Sequence, residues 1–128
     1  MAREKTIEEV MTRQPHTISN DLTVRKALEQ MRKYGVRHLP VREGGKLVGM
    51  VSDRDLAVAL FFPEASTTRV DEVMAQDPYT VDPGRPLGQV LREMSGRHLG
   101  SAIVSRTDGE VVGIFTAMDA VRLLGATL

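Results

Sequence analysis

Val48-Gly49-Met50-Val51-Ser52-Asp53-Arg54-Asp55 and, 64 residues later, Val112-Gly113-Ile114-Phe115-Thr116-Ala117-Met118-Asp119 decide how this chain is read. Each stretch runs from a glycine through apolar residues to a hydroxyl, with an acid three residues beyond it. That is the pattern of a strand ending at a helix N-cap, with the helix starting at once. Upstream the correspondence continues at an offset of 63: Val10-Met11 falls on Val73-Met74, Pro15 on Pro78, and Thr17-Ile18 on Thr80-Val81. Val24, Ala27, Leu28 and Met31 fall on Leu87, Val90, Leu91 and Met94, so both copies carry apolar residues spaced as one face of an amphipathic helix. Val41 falls on Val104, and the one inserted residue lies in the turn that follows.

Each copy is predicted to hold a short strand near Thr17 or Thr80, a helix over 23–34 or 86–97, a hairpin and a second helix. The first hairpin joins 36–42 to 46–52 through Glu43-Gly44-Gly45, the second turns at Thr107-Asp108-Gly109, and Pro63 is expected to stop the helix after Ser52. The fold class is α+β: two β-α-β-β-α repeats, residues 1–64 with an N-terminal helix and 65–128, packed by pseudo-twofold symmetry through their small sheets. Neither repeat alone buries enough surface, so one compact module is expected. The stripes containing Met31 and Met94 read as core.

Composition excludes more than it selects. The 128 residues carry 17 Lys+Arg against 17 Asp+Glu, five aromatics and no cysteine. That disfavours a nucleic-acid groove and removes thiolate nucleophiles, disulfides and Cys-based metal sites. His16, His38 and His98 form no metal-ligand spacing, and no nucleophile elbow, Walker loop or dinucleotide fingerprint occurs, so no catalytic or metal residue is assigned. The longest apolar run, Ala57 to Phe62, is far too short for a membrane span, and a cytoplasmic location is expected.

Two copies of Val-Met-x-x-x-Pro, a Leu-x-x-Met helix and a Gly-hydrophobic-hydrophobic-(Ser/Thr)-x-x-Asp ending resemble a tandem pair of cystathionine β-synthase (CBS) domains, a Bateman module. The resemblance runs from about Thr6 to Leu124, and Val36-Arg37-His38-Leu39-Pro40-Val41 in copy one is a close match. It implies a standalone regulatory pair with no catalytic domain attached, whose clefts between repeats bind an adenosine compound (AMP, ADP, ATP or a relative) and which forms a homodimer through its helices. Leu56, Ala57, Leu60 and Phe61 with Val121 and Leu124 are candidates for the dimer surface.

Taken alone, Ser52-x-x-Asp55 and Thr116-x-x-Asp119 are capping boxes. The same geometry serves a ligand, because a helix start offers N–H groups and a positive dipole end to an anion. A hydroxyl there reaches phosphate, and an acid one turn on accepts both hydroxyls of a ribose. The resemblance assigns these contacts to Ser52, Asp55, Thr116 and Asp119, and the two roles can coexist. Arg37 and His38 stand where related modules place basic residues against phosphate, and Arg54 is held by an anion or by Asp53. In copy two Gly100-Ser101-Ala102-Ile103 replace Arg37-His38-Leu39-Pro40, which leaves phosphate binding there in doubt. Arg97-His98-Leu99 repeats the letters three residues early, at the end of the preceding helix. The remaining candidates are Thr17, Val36 and Pro40 in the first copy and Thr80, Gly100, Ser101 and Ala102 in the second. The expected function is therefore a non-catalytic adenosine-ligand sensor that needs no cofactor and acts on an unnamed protein partner; the alternative is a ligand-independent dimerisation scaffold.

Overall fold

The computed structural model describes residues 4–128, apart from the side chain of Ala65, so the first three residues of the expected first repeat lie outside it. In chain order the elements are β1 (Thr12–Arg13), β2 (Ile18–Ser19), α1 (Val24–Tyr34), β3 (His38–Glu43), β4 (Lys46–Ser52), α2 (Asp53–Ala59), β5 (Ala75–Gln76), β6 (Thr80–Val81), α3 (Leu87–Gly96), β7 (Ser101–Ser105), β8 (Val111–Thr116) and α4 (Ala117–Thr127). Two four-stranded sheets and four helices make the mixed α+β fold expected.

The chain divides into two compact units, one of His16–Pro78 and one of the residues up to Pro15 together with Tyr79–Leu128. Their boundaries differ from the sequence halves 1–64 and 65–128, because the lead segment of each repeat joins the unit built by the other. In the first unit the sheet order is β2-β3-β4-β5, with β2 parallel to β3 (Ile18 opposite Val41) and β5 antiparallel to β4 (Met50 opposite Ala75). In the second the order is β1-β8-β7-β6, with Thr12 opposite Ile114 and Thr80 opposite Ile103.

The recurring Val-Met and Gly motifs meet in this exchange. A Cβ on Gly113 would collide with the Met11 side chain, whose Cγ would stand 2.8 Å away, and one on Gly49 would collide with Met74 and approach the Ala75 carbonyl to 2.8 Å. At Gly49 the Ala75 carbonyl leaves no room for a Cβ, and at Gly113 a Cβ would force the Met11 side chain to shift, so the glycines let a methionine lie across each strand. One core gathers Ile18, Val24, Ala27, Met31, Leu39, Val41, Val51, Leu56, Ala59 and Val70; the other gathers Ile7, Met11, Val81, Val90, Met94, Ala102, Val104 and Phe115.

Several expectations are corrected. The N-terminal helix is a single 3-10 turn, Ile7–Glu9. β3 starts two residues late because the Val36 N–H donates to the Met31 carbonyl (3.0 Å), closing α1 over Gly35 at φ 65°. Pro63 does not stop α2, which ends at Ala59; it opens a 3-10 turn, Pro63–Ser66, where its missing N–H costs nothing. Leu56 is fully buried and so unavailable to a dimer surface, Leu60 is half-buried, and Ala57, Phe61, Val121 and Leu124 are exposed.

Candidate functional site

At the β4–α2 junction the sequence places a hydroxyl, an acid and a strand end together, and each backbone group at the turn finds a partner. The Asp53 N–H donates to the Arg37 carbonyl (2.9 Å), the Arg54 N–H to Asp53 Oδ1 (2.9 Å), and the Asp55 N–H to Ser52 Oγ (3.2 Å). The Ser52 N–H donates back to Asp55 Oδ2 (3.0 Å), completing the capping box. The capping role is thus fully realised: the first amides of α2 are satisfied within the protein. Two groups stay uncommitted among the described residues, the Ser52 hydroxyl proton and Asp55 Oδ1. His38 faces Ser52 across the β3–β4 ladder, and Arg37 precedes it with an exposed side chain. Ser52, Asp55, His38 and Arg37 thus gather at one end of one sheet.

The second unit repeats the turn with different commitments. The Ala117 N–H donates to the Gly100 carbonyl (3.0 Å), the Thr116 N–H to Asp119 Oδ2 (2.9 Å), and the Asp119 N–H to Thr116 Oγ1 (3.3 Å). Here the Thr116 hydroxyl also donates to Asp119 Oδ2 (3.1 Å), and Arg122 Nη1 donates to Asp119 Oδ1 (3.1 Å). Both carboxylate oxygens are therefore engaged, whereas the position of Arg122 is Val58 in the first repeat. Ser101 faces Thr116 across the β7–β8 ladder, in the register that His38 has with Ser52. Ala117 has no side-chain acceptor to match Asp53, so the Met118 amide lacks the cap that Arg54 receives.

The remaining candidates separate by burial. Thr17 stands half-buried just before β2, and Thr80 is exposed at the start of β6. Val36 packs against the first core as part of the α1 cap, while Pro40 and Ala102 are buried core residues. Arg54 is exposed, and it is its amide rather than its guanidinium that Asp53 holds. His98 lies in the left-handed region (φ 55°) at the end of α3, the position of Gly35 in the first repeat, so Arg97-His98-Leu99 does belong to a helix end rather than to a strand. Sequence reasoning missed Arg122, whose signal was its place one turn after Asp119. Among the described residues no cluster of His, Asp or Glu is arranged to hold a metal, and no helix is long and apolar enough to cross a membrane.

The strongest electrostatic perturbation lies elsewhere in the second unit. Burial, helped by a hydrogen bond to the Glu93 carboxylate and by its charge, pushes the Tyr79 hydroxyl up to about 12, and Arg97 stacks over the Tyr79 ring at 5.2 Å.

Comparison with known proteins agrees with this arrangement. The CBS domain matches twice, over residues 7–61 and 70–126. Inosine-5'-monophosphate dehydrogenase of Korarchaeum cryptofilum is 33% identical over 90% of this chain, and L-aspartate semialdehyde sulfurtransferase of Methanocaldococcus jannaschii 29% identical over 93%. The chain spans only 23% of the length of either enzyme. A CBS domain-containing protein of Dictyostelium discoideum is 28% identical, over 92% of this chain and 90% of its own length. Among solved structures, the CBS domain pair of protein MJ0100 in complex with 5'-methylthioadenosine and S-adenosyl-L-methionine superposes with a TM-score of 0.89 at 26% identity, covering 98% of this chain and all (100%) of that one. CBSX2 in complex with AMP superposes at 0.82 and 27% identity, covering 95% and 97%. The doubled motif, the two sheets and these matches establish that the chain belongs to the CBS domain family, as two tandem copies.

Proposed function

We propose that this chain is a non-catalytic regulatory module that binds an adenosine-containing ligand, with the first-repeat residues Ser52, Asp55, Arg37 and His38 as the principal contacts. The observation that carries this reading is the uncommitted pair at the β4–α2 junction: the Ser52 hydroxyl proton and Asp55 Oδ1, next to His38 and Arg37. A carboxylate oxygen with no donor suits ribose hydroxyls, and a hydroxyl beside two basic side chains suits phosphate or another anionic group. Similar CBS pairs holding AMP, or 5'-methylthioadenosine with S-adenosyl-L-methionine, support the ligand class. Thr116, Asp119, Ser101, Gly100 and Thr80 form a weaker second site, because its acid is already engaged and its strand lacks the basic pair.

The test is a thermal-shift screen of AMP, ADP, ATP, adenosine, S-adenosylmethionine and the guanine nucleotides. A ligand at about a hundred times its dissociation constant adds roughly 2.7 kcal/mol of stability, a shift of several degrees for this size. No shift with any adenosine compound overturns the reading.

Two observations favour a second reading, a ligand-independent dimerisation scaffold. Both capping boxes close on groups of the chain itself, and α4 exposes Met118, Val121 and Leu124, each at least 50% accessible. A homodimer through α4 is compatible with either function. A dimer that forms without nucleotide and is unaffected by it would support the scaffold.

A further inference from the structure

The solvent face of α1 gathers four cations of which the helix accounts for only two: Arg32 and Lys33 in its last turn suit the dipole, whereas Arg25 and Lys26 in its first turn do not. Arg25, Lys26, Arg32 and Lys33 are all exposed there, around a single exposed acid, Glu29. Among the described residues none of these five side chains forms an ion pair, and Lys33 makes only a contact with the Tyr34 ring, 5.3 Å from its centroid. At the corresponding positions α3 carries Gly88, Gln89, Ser95 and Gly96, so the charge is not a requirement of the repeat.

The start of the helix makes the same point independently. At four other helical starts the third residue is an acid that accepts the cap's N–H: Glu9, Asp55, Glu72 and Asp119. In α1 that residue is Lys26, next to Arg25, and Thr23 caps alone. Cations in a first turn oppose the helix dipole, so both residues work against the element that carries them.

We propose that this face docks a protein partner whose surface presents acidic residues around a central basic one, the complement of four cations around Glu29. The apolar side of α1, including Val24, Ala27 and Met31, is buried in the core, so the helix has no apolar face to lay into a bilayer. A uniform polyanion such as nucleic acid meets Glu29 repulsively, and the chain's balanced charge offers it no wider field. A mixed-charge protein surface satisfies all five groups, and charge complementarity of this kind sets partner choice and on-rate.

The probe is an alanine-based helical peptide carrying four glutamates around one lysine on one face, titrated into the isotope-labelled full chain at low salt and followed by NMR. The expected result is amide shifts on the exposed residues of α1 and none on α3. Arg25→Glu with Arg32→Glu should weaken binding at least tenfold, and a peptide with its facing glutamates changed to lysine should restore it. The double variant is checked for unchanged melting. Duplex DNA or phosphatidylserine vesicles binding α1 as tightly as the peptide would overturn the proposal, as would shifts not centred on α1 or charge reversal without rescue.

Discussion

Replacing Asp55 and Asp119 one at a time separates capping from ligand binding, because the two carboxylates are committed to different degrees. Asp55→Ala removes the acceptor of the Ser52 N–H (3.0 Å) but leaves the Asp55 amide on Ser52 Oγ, so stability should fall by only about 0.5–1 kcal/mol, a few degrees in Tm. The same change removes an uncommitted charged acceptor from the proposed site, which costs about 1.5–3 kcal/mol of binding, roughly a 10- to 150-fold loss of AMP affinity. For Asp119 the balance reverses. A ligand there must displace the Thr116 hydroxyl (3.1 Å) and Arg122 (3.1 Å), so Asp119→Ala should cost more stability and less affinity than Asp55→Ala. The Arg122 side chain is 73% exposed, so its pair with Asp119 is worth only about 0.2–1 kcal/mol. Freeing the acid by Arg122→Ala should therefore strengthen the second site by up to about fivefold, and Val58→Arg should weaken the first. Calorimetry with AMP, beside thermal melts, reads both effects. If Asp55→Ala melts earlier yet binds AMP like the parent, the carboxylate is a cap alone and the site assignment fails.

Further outcomes follow from the packing. Gly113→Ala should cost about 1–3 kcal/mol by forcing Met11 aside, and Met11→Ala should rescue part of that loss with a coupling of at least about 0.5 kcal/mol in a denaturant cycle; additive losses would refute the contact. With its folded pKa raised from 10 to about 12, protonated Tyr79 contributes stability that is fully present below pH 10 and disappears as the pH passes 12, so an alkaline unfolding series should lose this component in Tyr79→Phe. His98→Gly should stabilise the chain by about 0.5–1 kcal/mol by relieving its left-handed backbone, while Gly35→Ala, with open space around the added Cβ, should destabilise it by about 1 kcal/mol. Equal melting temperatures for parent and His98→Gly would count against that account of the backbone.

The sequence by itself determined whatever depends on neighbours along the chain. The doubled helix stripes, the hydroxyl-x-x-acid starts after β4 and β8 and the glycine turns are local patterns, and each formed within a few residues of its expected place. The absence of Arg37 and His38 counterparts in the second strand was equally legible, and the shared register of His38 with Ser52 and Ser101 with Thr116 gives that comparison its geometry. Burial of Leu56, Pro40 and Ala102 was not legible, because a helix or strand with apolar residues on more than one side does not announce which side meets the core. Nor was the exchange of lead segments. Met11 and Met74 carry the same motif, and Gly49 and Gly113 offer the same notch, so local chemistry accepts either pairing. Only the tertiary structure decided it, by adding β1 to β8 and β5 to β4, where Met11 lies against Gly113 and Met74 against Gly49.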